Sequence, residues 1–263
     1  MIPDTALLAI AFVFGAAIGS FLNVVILRLP DPEQSIVFPA SHCPQCGTPL
    51  HWYENIPIFS YLFLRGHCGH CEKSISCQYP IVELLTGVLA AALVNRYGMT
   101  TTTLGYFLFS AALVVVIFID IHHQIIPDII SLPAIVLGFL FSFVTPLLTW
   151  QESLLGLLFG GGILYAIAIG YAILRKIEGM GGGDIKLLAA IGAWLGWKSL
   201  FFVIMIASFS GLLAGIVAMV KQGKGGRSRI PFGPFLSLGA FCYIFFREQL
   251  LAFLYFYISG QWP

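Results

Sequence analysis

Long apolar stretches make up most of the chain, and only a few polar segments interrupt them. The first runs from Thr5 to Leu27 without a charged residue, which matches the roughly 20 residues that a helix needs to cross a bilayer core. Further apolar stretches lie near 80–95, 104–119, 126–147, 153–174, 185–197, 199–220 and 232–256. The pattern predicts an all-α polytopic membrane protein with about eight transmembrane helices, in which 185–197 and 199–220 could form one broken unit.

One longer polar segment separates the first apolar stretch from the others. We therefore predict a first transmembrane helix at 1–27, a small soluble insert at 28–79 and a helical membrane domain at 80–263. No basic residue precedes the first apolar stretch, and Asp4 is acidic. A cleaved signal peptide has a positive start and a shorter apolar core, so we expect a retained helix.

Composition agrees with a membrane location and argues against one class of partner. Of the 263 residues, 59% are hydrophobic and 10% are charged, whereas a typical soluble domain has about 25% charged residues. The formal net charge is +1. Because a nucleic-acid-binding surface is usually strongly basic, we expect the lipid bilayer and no nucleic acid as a partner.

The positions of the basic residues predict the orientation, because Lys and Arg in short loops remain on the cytoplasmic side. With eight spans, alternate loops contain Arg28, Arg65, Lys73, Arg175, Lys176, Lys186, Lys221, Lys224, Arg227 and Arg229. The opposite loops contain Arg96, Lys198 and Arg247. This bias predicts that both termini lie outside the cytoplasm. The 28–79 insert and the loops at 120–128 and 175–185 would then share the cytoplasmic face.

The insert contains two C-x-x-C motifs, formed by Cys43 with Cys46 and by Cys68 with Cys71. This arrangement is typical of a tetrahedral zinc ribbon in which each motif supplies two thiolates. Two disulfides are the alternative, but they require an oxidising compartment. Four cysteine ligands leave no open position, so we expect the metal to be structural. Neighbouring histidines at 42, 51, 67 and 70 are poorer ligand candidates.

Acidic residues at membrane depth are costly and are therefore candidates for function. Four qualify: Glu83, Asp120, Asp128 and Asp184. Asp120 ends the apolar run ALVVVIFID, and Asp184 follows three glycines in GMGGGD. Each aspartate could instead cap a helix, an alternative favoured for Asp128, while Glu83 could pair with a polar neighbour or face the insert.

Asp120 and Asp184 together suggest an aspartyl dyad. The glycines before Asp184 leave space for close backbone approach by a substrate strand. If Asp184 begins a helix, the helix dipole favours its ionised form, whereas Asp120 near a helix end would keep its proton more readily. On this hypothesis Asp184 is the general base and Asp120 the acid.

These residues lie in segments that resemble the type IV prepilin peptidase family over nearly the whole chain. The resemblance is carried by GSFLNVVILRLP, the paired C-x-x-C, HWYENIPIFSYLFLRGHC, YPIVELLTG, FIDIHHQIIPD, GMGGGDIKLLAAIGAWLGW and IPFGPFLSLGA. One departure is CQYP, where the family often has a basic residue in place of Cys77.

The resemblance implies a bifunctional enzyme of the bacterial inner membrane that acts for type IV pili or type II secretion. Such enzymes cleave the basic leader from prepilin or pseudopilin precursors on the cytoplasmic side. They then methylate the new amino group with S-adenosylmethionine. The catalytic pair carries over to Asp120 and Asp184, the latter in a GxGD-type motif. The zinc ligands carry over to Cys43, Cys46, Cys68 and Cys71.

The methyl donor's site is harder to predict, because the chain has no dinucleotide-type G-x-G-x-x-G motif after a strand. The Trp52, Tyr53 and Asn55 cluster is our candidate, although such residues often simply pack a small domain. Two rival functions are weaker. A transporter would place its acids near the midplane of related halves, and a membrane-anchored zinc adaptor would have inert aspartates.

Overall fold

The computed structural model describes residues 4–175, 181–222 and 230–259. The regular secondary structure of these residues is helical, without a β-strand. Its elements in chain order are α1 (Asp4–Arg28), a 3-10 turn (Trp52–Asn55), α2 (Phe59–Phe63), α3 (Gln78–Tyr97), α4 (Thr101–His123), α5 (Asp128–Phe141), α6 (Trp150–Arg175), α7 (Gly182–Leu195), α8 (Trp197–Gln222) and α9 (Gly233–Ser259). The predicted fold class is confirmed.

Eight of these helices match the eight predicted apolar stretches. Among the described residues, α1, α3, α4, α6, α8 and α9 are long and apolar enough to cross a membrane. The other two, α5 and α7, have 14 residues each. At 1.5 Å per residue they are too short to cross the hydrocarbon core alone. The 126–147 prediction was too long, since α5 ends at Phe141 and a turn leads to Pro146.

A single glycine separates α7 from α8. Gly196 has a φ of +81°, a left-handed conformation that glycine adopts without steric cost. Its N–H donates to the carbonyl of Gly192 at 2.8 Å, which closes the last turn of α7. The expected broken unit is therefore two helices joined at Gly196.

The chain forms two compact units, residues 1–115 and 116–263, and the boundary falls inside α4. Our predicted boundaries after residues 27 and 79 remain predictions. Part of the predicted cytoplasmic charge lies outside the described residues, namely Lys176, Lys224, Arg227, Arg229 and the side chains of Arg175 and Lys221.

In the first unit, small residues allow α1 and α3 to approach closely. A Cβ added to Gly19 would lie 2.7 Å from the Cα of Glu83, and one added to Gly15 would lie 2.7 Å from the carbonyl oxygen of Thr86. One turn further along α1, the buried Asn23 donates its side-chain N–H to the carbonyl of Tyr79 at 3.1 Å. Small residues with interhelical hydrogen bonds are the usual means of helix association in lipid.

In the second unit, α7 is buried from Leu187 to Leu195. Against α6, Gly156 meets Gly192 backbone to backbone, and Ser153 donates its hydroxyl to the carbonyl of Ala193 at 2.6 Å. Against α5, the indole N–H of Trp194 donates to the carbonyl of Ala134 at 2.8 Å. Because α7 is packed against its neighbours from Leu187 onward, the turn that precedes Leu187 is anchored by the rest of the helix.

Candidate active site and metal site

The four cysteines of the insert meet at one point. One ligand atom from each of Cys43, Cys46, Cys68 and Cys71 lies within 4.8 Å of all the others. The Sγ atoms of Cys43 and Cys71 are 3.9 Å apart, close to the ~3.8 Å edge of a tetrahedron whose Zn–S bonds are about 2.3 Å. All six cysteines of the chain are free thiols. The cluster could therefore hold a metal ion.

Each C-x-x-C motif belongs to a turn that occurs twice, 25 residues apart. In both turns, the histidine before the first cysteine forms an isolated antiparallel β-bridge with the residue seven positions later. These pairs are His42 with Pro49 and His67 with Ser74. In both, the residue after the second cysteine has positive φ, +72° at Gly47 and +58° at Glu72. The two matching H-C-x-x-C sequences are the signal from which this short repeat could have been predicted, although we did not predict it.

The neighbouring histidines do not belong to the cysteine cluster of the described residues. His42 and His67 instead place Nδ1 3.0 Å and 2.8 Å from the carbonyls of Ala40 and Arg65.

Hydrogen bonds with the side chain and then the backbone of Thr48 lower the pKa of Cys46 to about 6. A lowered thiol pKa favours the thiolate, which is the form that binds metal.

Asp120 lies in the last turn of α4 and is 4% exposed. Its Oδ2 accepts a hydrogen bond at 2.9 Å from the backbone N–H of Gly233, the first residue of α9. This contact spans 113 residues of sequence. Because the donor is a backbone group, this contact could not be predicted from the pattern of side chains.

Asp184 lies in the first turn of α7, outside the six helices long enough to cross a membrane. Its N–H donates to the carbonyl of Gly181, the residue that caps the helix with extended backbone. Burial raises the pKa of Asp184 to about 6, and the nearby charge of Asp120 contributes to the increase. The two carboxylates therefore lie close enough to influence each other's protonation.

Ile126 lies between the backbone segments that carry the two carboxylates. A Cβ added to Gly183, next to Asp184, would lie 2.8 Å from the Cβ of Ile126. A Cβ added to Gly233, the partner of Asp120, would lie 3.3 Å from the Cδ1 of the same isoleucine. Three helix ends and one loop thus converge here, and glycines make the approach possible.

The other two acidic candidates have structural partners. Asp128 begins α5 but does not cap it; its carboxylate oxygens accept hydrogen bonds of 2.6 Å and 2.8 Å from Lys186 of α7. Glu83 is buried in α3 and accepts a 2.7 Å hydrogen bond from the backbone N–H of Ile58 in the insert. Both expectations for Glu83, a polar partner and a location beside the insert, agree with this contact.

The aromatic cluster considered for the methyl donor is open to its surroundings. Trp52 is 80% and Tyr53 53% exposed, and their rings meet edge to face with centroids 5.8 Å apart. Tyr53 also stacks on His51 at 5.3 Å. These exposed ring faces are available for stacking on a ligand. Rings that packed the core of a small domain would not be exposed in this way.

Comparison with known families matches both parts of the chain. Residues 13–97 match the bacterial peptidase A24 N-terminal domain, and residues 107–216 match the type IV leader peptidase family. The first range contains the cysteine cluster, and the second contains both Asp120 and Asp184. No solved structure matches the chain.

Several curated proteins are similar over most of their length, and each of the following is a prepilin leader peptidase/N-methyltransferase. The Burkholderia pseudomallei protein is 36% identical, and the match covers 93% of this chain and 87% of the relative. The Neisseria gonorrhoeae protein is 39% identical over 87% of each chain, and the Aeromonas hydrophila protein is 34% identical over 92% and 91%. The chain therefore belongs to the type IV leader peptidase family.

Proposed function

We propose that this protein removes the leader peptide from prepilin or pseudopilin precursors and then methylates the new N-terminal amino group. Asp120 and Asp184 carry out the cleavage. The observation that supports this most directly is the convergence of two half-buried or buried carboxylates from distant parts of the chain, inside the region that matches the peptidase family.

The chemistry of cleavage follows from two carboxylates that hold one proton between them. One carboxylate removes a proton from water as the water oxygen attacks the scissile carbonyl, and the other gives its proton to the carbonyl oxygen. When the resulting tetrahedral diol breaks down, the amine leaves with a proton from the first aspartate. The second aspartate regains its own proton, so the dyad returns to its starting state.

The location of the dyad suits a substrate that is itself a membrane helix with a basic leader. Asp120 lies at the end of a candidate membrane span, and Asp184 lies in the first turn of α7, which is buried from Leu187 onward. A substrate helix could approach through the lipid and present the junction with its leader at this depth. Together with the bias of basic loops, this supports an inner-membrane enzyme that works at the cytoplasmic face.

The cysteine cluster holds a structural zinc ion in this proposal. Four thiolates at tetrahedral spacing match the preference of zinc for a closed sulfur site. The insert of about fifty residues is too small to be stabilised by a hydrophobic core alone. Cys43, Cys46, Cys68 and Cys71 would join its two turns through the metal, and no step of the cleavage uses it.

Methyl transfer uses S-adenosylmethionine, which supplies an activated methyl group to a neutral amine. The exposed ring faces of Trp52 and Tyr53 are the surface of the insert that we assign to the donor, because purine rings stack on aromatic side chains. The exposed side chain of Asn55 offers hydrogen bonds beside them. Their substitution should lower methylation and leave leader removal unchanged.

Leader removal by single aspartate variants tests the proposal. Purified wild type, Asp120→Asn and Asp184→Asn are incubated with a prepilin precursor, and leader loss and N-methylation are followed by mass spectrometry. Asp128→Asn is the matched control, since it makes the same chemical change at an aspartate that is ion-paired with Lys186. We expect a loss of roughly a thousandfold or more in both dyad variants.

The pattern of results separates the possible failures. Cleavage by the Asp128→Asn control and none by the other two supports the dyad. Undiminished cleavage in either dyad variant removes that residue from the mechanism. An inactive wild-type protein with several precursors would contradict the proposed activity itself.

A further inference from the structure

The hydrogen bond between α9 and Asp120 distinguishes the two members of the dyad. Gly233 donates its N–H to Oδ2 of Asp120 at 2.9 Å, and the contact is buried. As the first residue of α9, Gly233 has an N–H with no partner inside the helix. Such an N–H and the positive end of the helix dipole both favour a negatively charged acceptor. The contact therefore stabilises an ionised Asp120.

The carboxylate of Asp120 approaches Gly233 so closely that any larger residue at this position would displace it. A Cβ added to Gly233 would lie 2.7 Å from Oδ2 and 3.3 Å from the carboxyl carbon of Asp120. A Cβ atom essentially never comes within 3.0 Å of a non-bonded heavy atom elsewhere in a protein, so the carboxylate would have to move. The Cδ1 of Ile126 would also lie 3.3 Å from the added carbon.

The other charged groups near the dyad leave this asymmetry in place. Among the described residues, Asp184 is a charged neighbour of Asp120, and the Coulombic repulsion between the two carboxylates favours a single negative charge on the pair. Lys186, two residues after Asp184, is held by both carboxylate oxygens of Asp128. On α7 itself, the described contacts of Asp184 include no backbone donor to its side chain comparable to Gly233.

We infer that Gly233 is a positioning residue that keeps Asp120 ionised as the general base, so that Asp184 carries the proton and acts as the general acid. This inference rests on the proposed protease function and reverses the order of roles that helix position alone suggested. Oδ2 of Asp120 is occupied by the amide, which leaves Oδ1 to take the proton from water. Asp184 then protonates the carbonyl oxygen as the C–O bond to water forms.

Alanine substitution at two glycines of α9 tests the inference. Gly233→Ala displaces the Asp120 carboxylate. Gly239→Ala is the control on the same helix, because its Cβ would meet the backbone of Val203, with the carbonyl oxygen at 2.8 Å. This clash is with backbone and not with Asp120, so it tests the effect of a destabilising alanine in α9 on the reaction. Both are assayed for precursor cleavage from acid to alkaline pH, and their melting temperatures are measured.

We expect Gly233→Ala to lower kcat by about a hundredfold with little change in KM, the loss that a displacement of about 1 Å causes. Its acidic pH limb should move to higher pH by about one unit, because the base has lost a donor that favours its charge. Gly239→Ala should keep the wild-type pH profile even if its melting temperature falls.

Two results would each overturn a different proposal. A Gly233→Ala enzyme with unchanged pH limbs and no greater loss of kcat than Gly239→Ala overturns the inference but leaves the protease function intact. An inactive wild type contradicts the protease function instead. If Gly233→Ala does not fold, the Gly233→Ala/Ile126→Ala double variant makes room for the new carbon, and it is compared with Ile126→Ala alone by the same criteria.

Discussion

The cysteine cluster and the carboxylate pair are built in opposite ways. All four thiols come from one segment of the insert, residues 43–71, and two similar turns present them. The carboxylates come from the end of α4 and the start of α7, and the amide that holds Asp120 comes from the start of α9. One site needs only its own segment to fold, whereas the other needs the packing of several helices.

This difference predicts which property each substitution will change. A ligand lost from the cysteine cluster should affect the order of the insert. A change in the helix packing of the second unit should affect the carboxylates even when it lies far from them. A change at a carboxylate should affect the reaction and, through charge burial, the pH dependence of stability.

The largest effect is expected for Cys43→Ser. Loss of one thiolate should abolish stoichiometric zinc binding and leave residues 28–79 open to proteolysis, because a site of this kind supplies about 10 kcal/mol or more to the folding of a small domain. Metal content and peptide mapping after limited proteolysis measure it. Cys77→Ser is the control, as Cys77 is exposed and outside the cluster; equal metal loss in both would contradict a four-cysteine site.

The next effect concerns the packing that supports the dyad. Gly156→Ala should destabilise the second unit by roughly 3 kcal/mol or more, since its Cβ would collide with the carbonyl of Gly192 and overpacking of this severity cannot relax. Gly162→Ala is the control, because it makes the same change elsewhere on α6, where no heavy atom would lie within 4 Å of the added Cβ. Thermal unfolding of both variants in detergent is the measurement. Equal melting temperatures would show that α6 and α7 need no close contact.

A smaller, pH-dependent effect is expected for Asp184→Asn. The pKa of Asp184 is raised from 3.8 to about 6 by burial and then by Asp120, so folding is favoured most when this group is neutral. Its contribution is complete below about pH 4 and is lost as the pH rises through about 6. The variant should therefore match wild type near pH 4 and exceed its stability at pH 8 by on the order of 2 kcal/mol.

Melting temperatures of wild type and Asp184→Asn across this range provide the measurement. Asp128→Asn is the comparison, because Asp128 is exposed and paired with Lys186. A constant difference between wild type and Asp184→Asn at all pH values would mean that the carboxylate carries no charge penalty.

The smallest effect is expected for Lys186→Met. The Lys186 ion pair with Asp128 is short but partly exposed, and such pairs contribute about 1 kcal/mol or less. Cleavage should stay within about threefold of wild type, because the described contacts of the pair join α5 to α7 and include neither carboxylate of the proposed dyad. A loss as large as that of a dyad variant would place Lys186 in the catalytic machinery.

The sequence predicted the helices well because the length of an apolar run is a local property. It failed at α5, which ends after 14 residues and packs on α7, because helix packing of this kind is not a local property of the sequence. The four cysteines and the two aspartates could be identified as candidates because their side chains are unusual in their surroundings. Gly233 could not, since its contribution is a backbone N–H, and nothing in a side-chain pattern shows which distant amide will reach a carboxylate.

The contact between Glu83 and Ile58 has a mechanical consequence for the first unit. Ile58 has φ +66° and ψ −51°, and the N–H of Phe59 reaches the carbonyl of Pro57 at 2.6 Å, the geometry of a rare and strained γ-turn. A β-branched residue in this conformation costs about 1–3 kcal/mol. The hydrogen bond from the Ile58 N–H to Glu83 holds this strained turn against α3. Without the Glu83 carboxylate, the turn would relax to a more extended backbone, and the insert would lose this tether to α3.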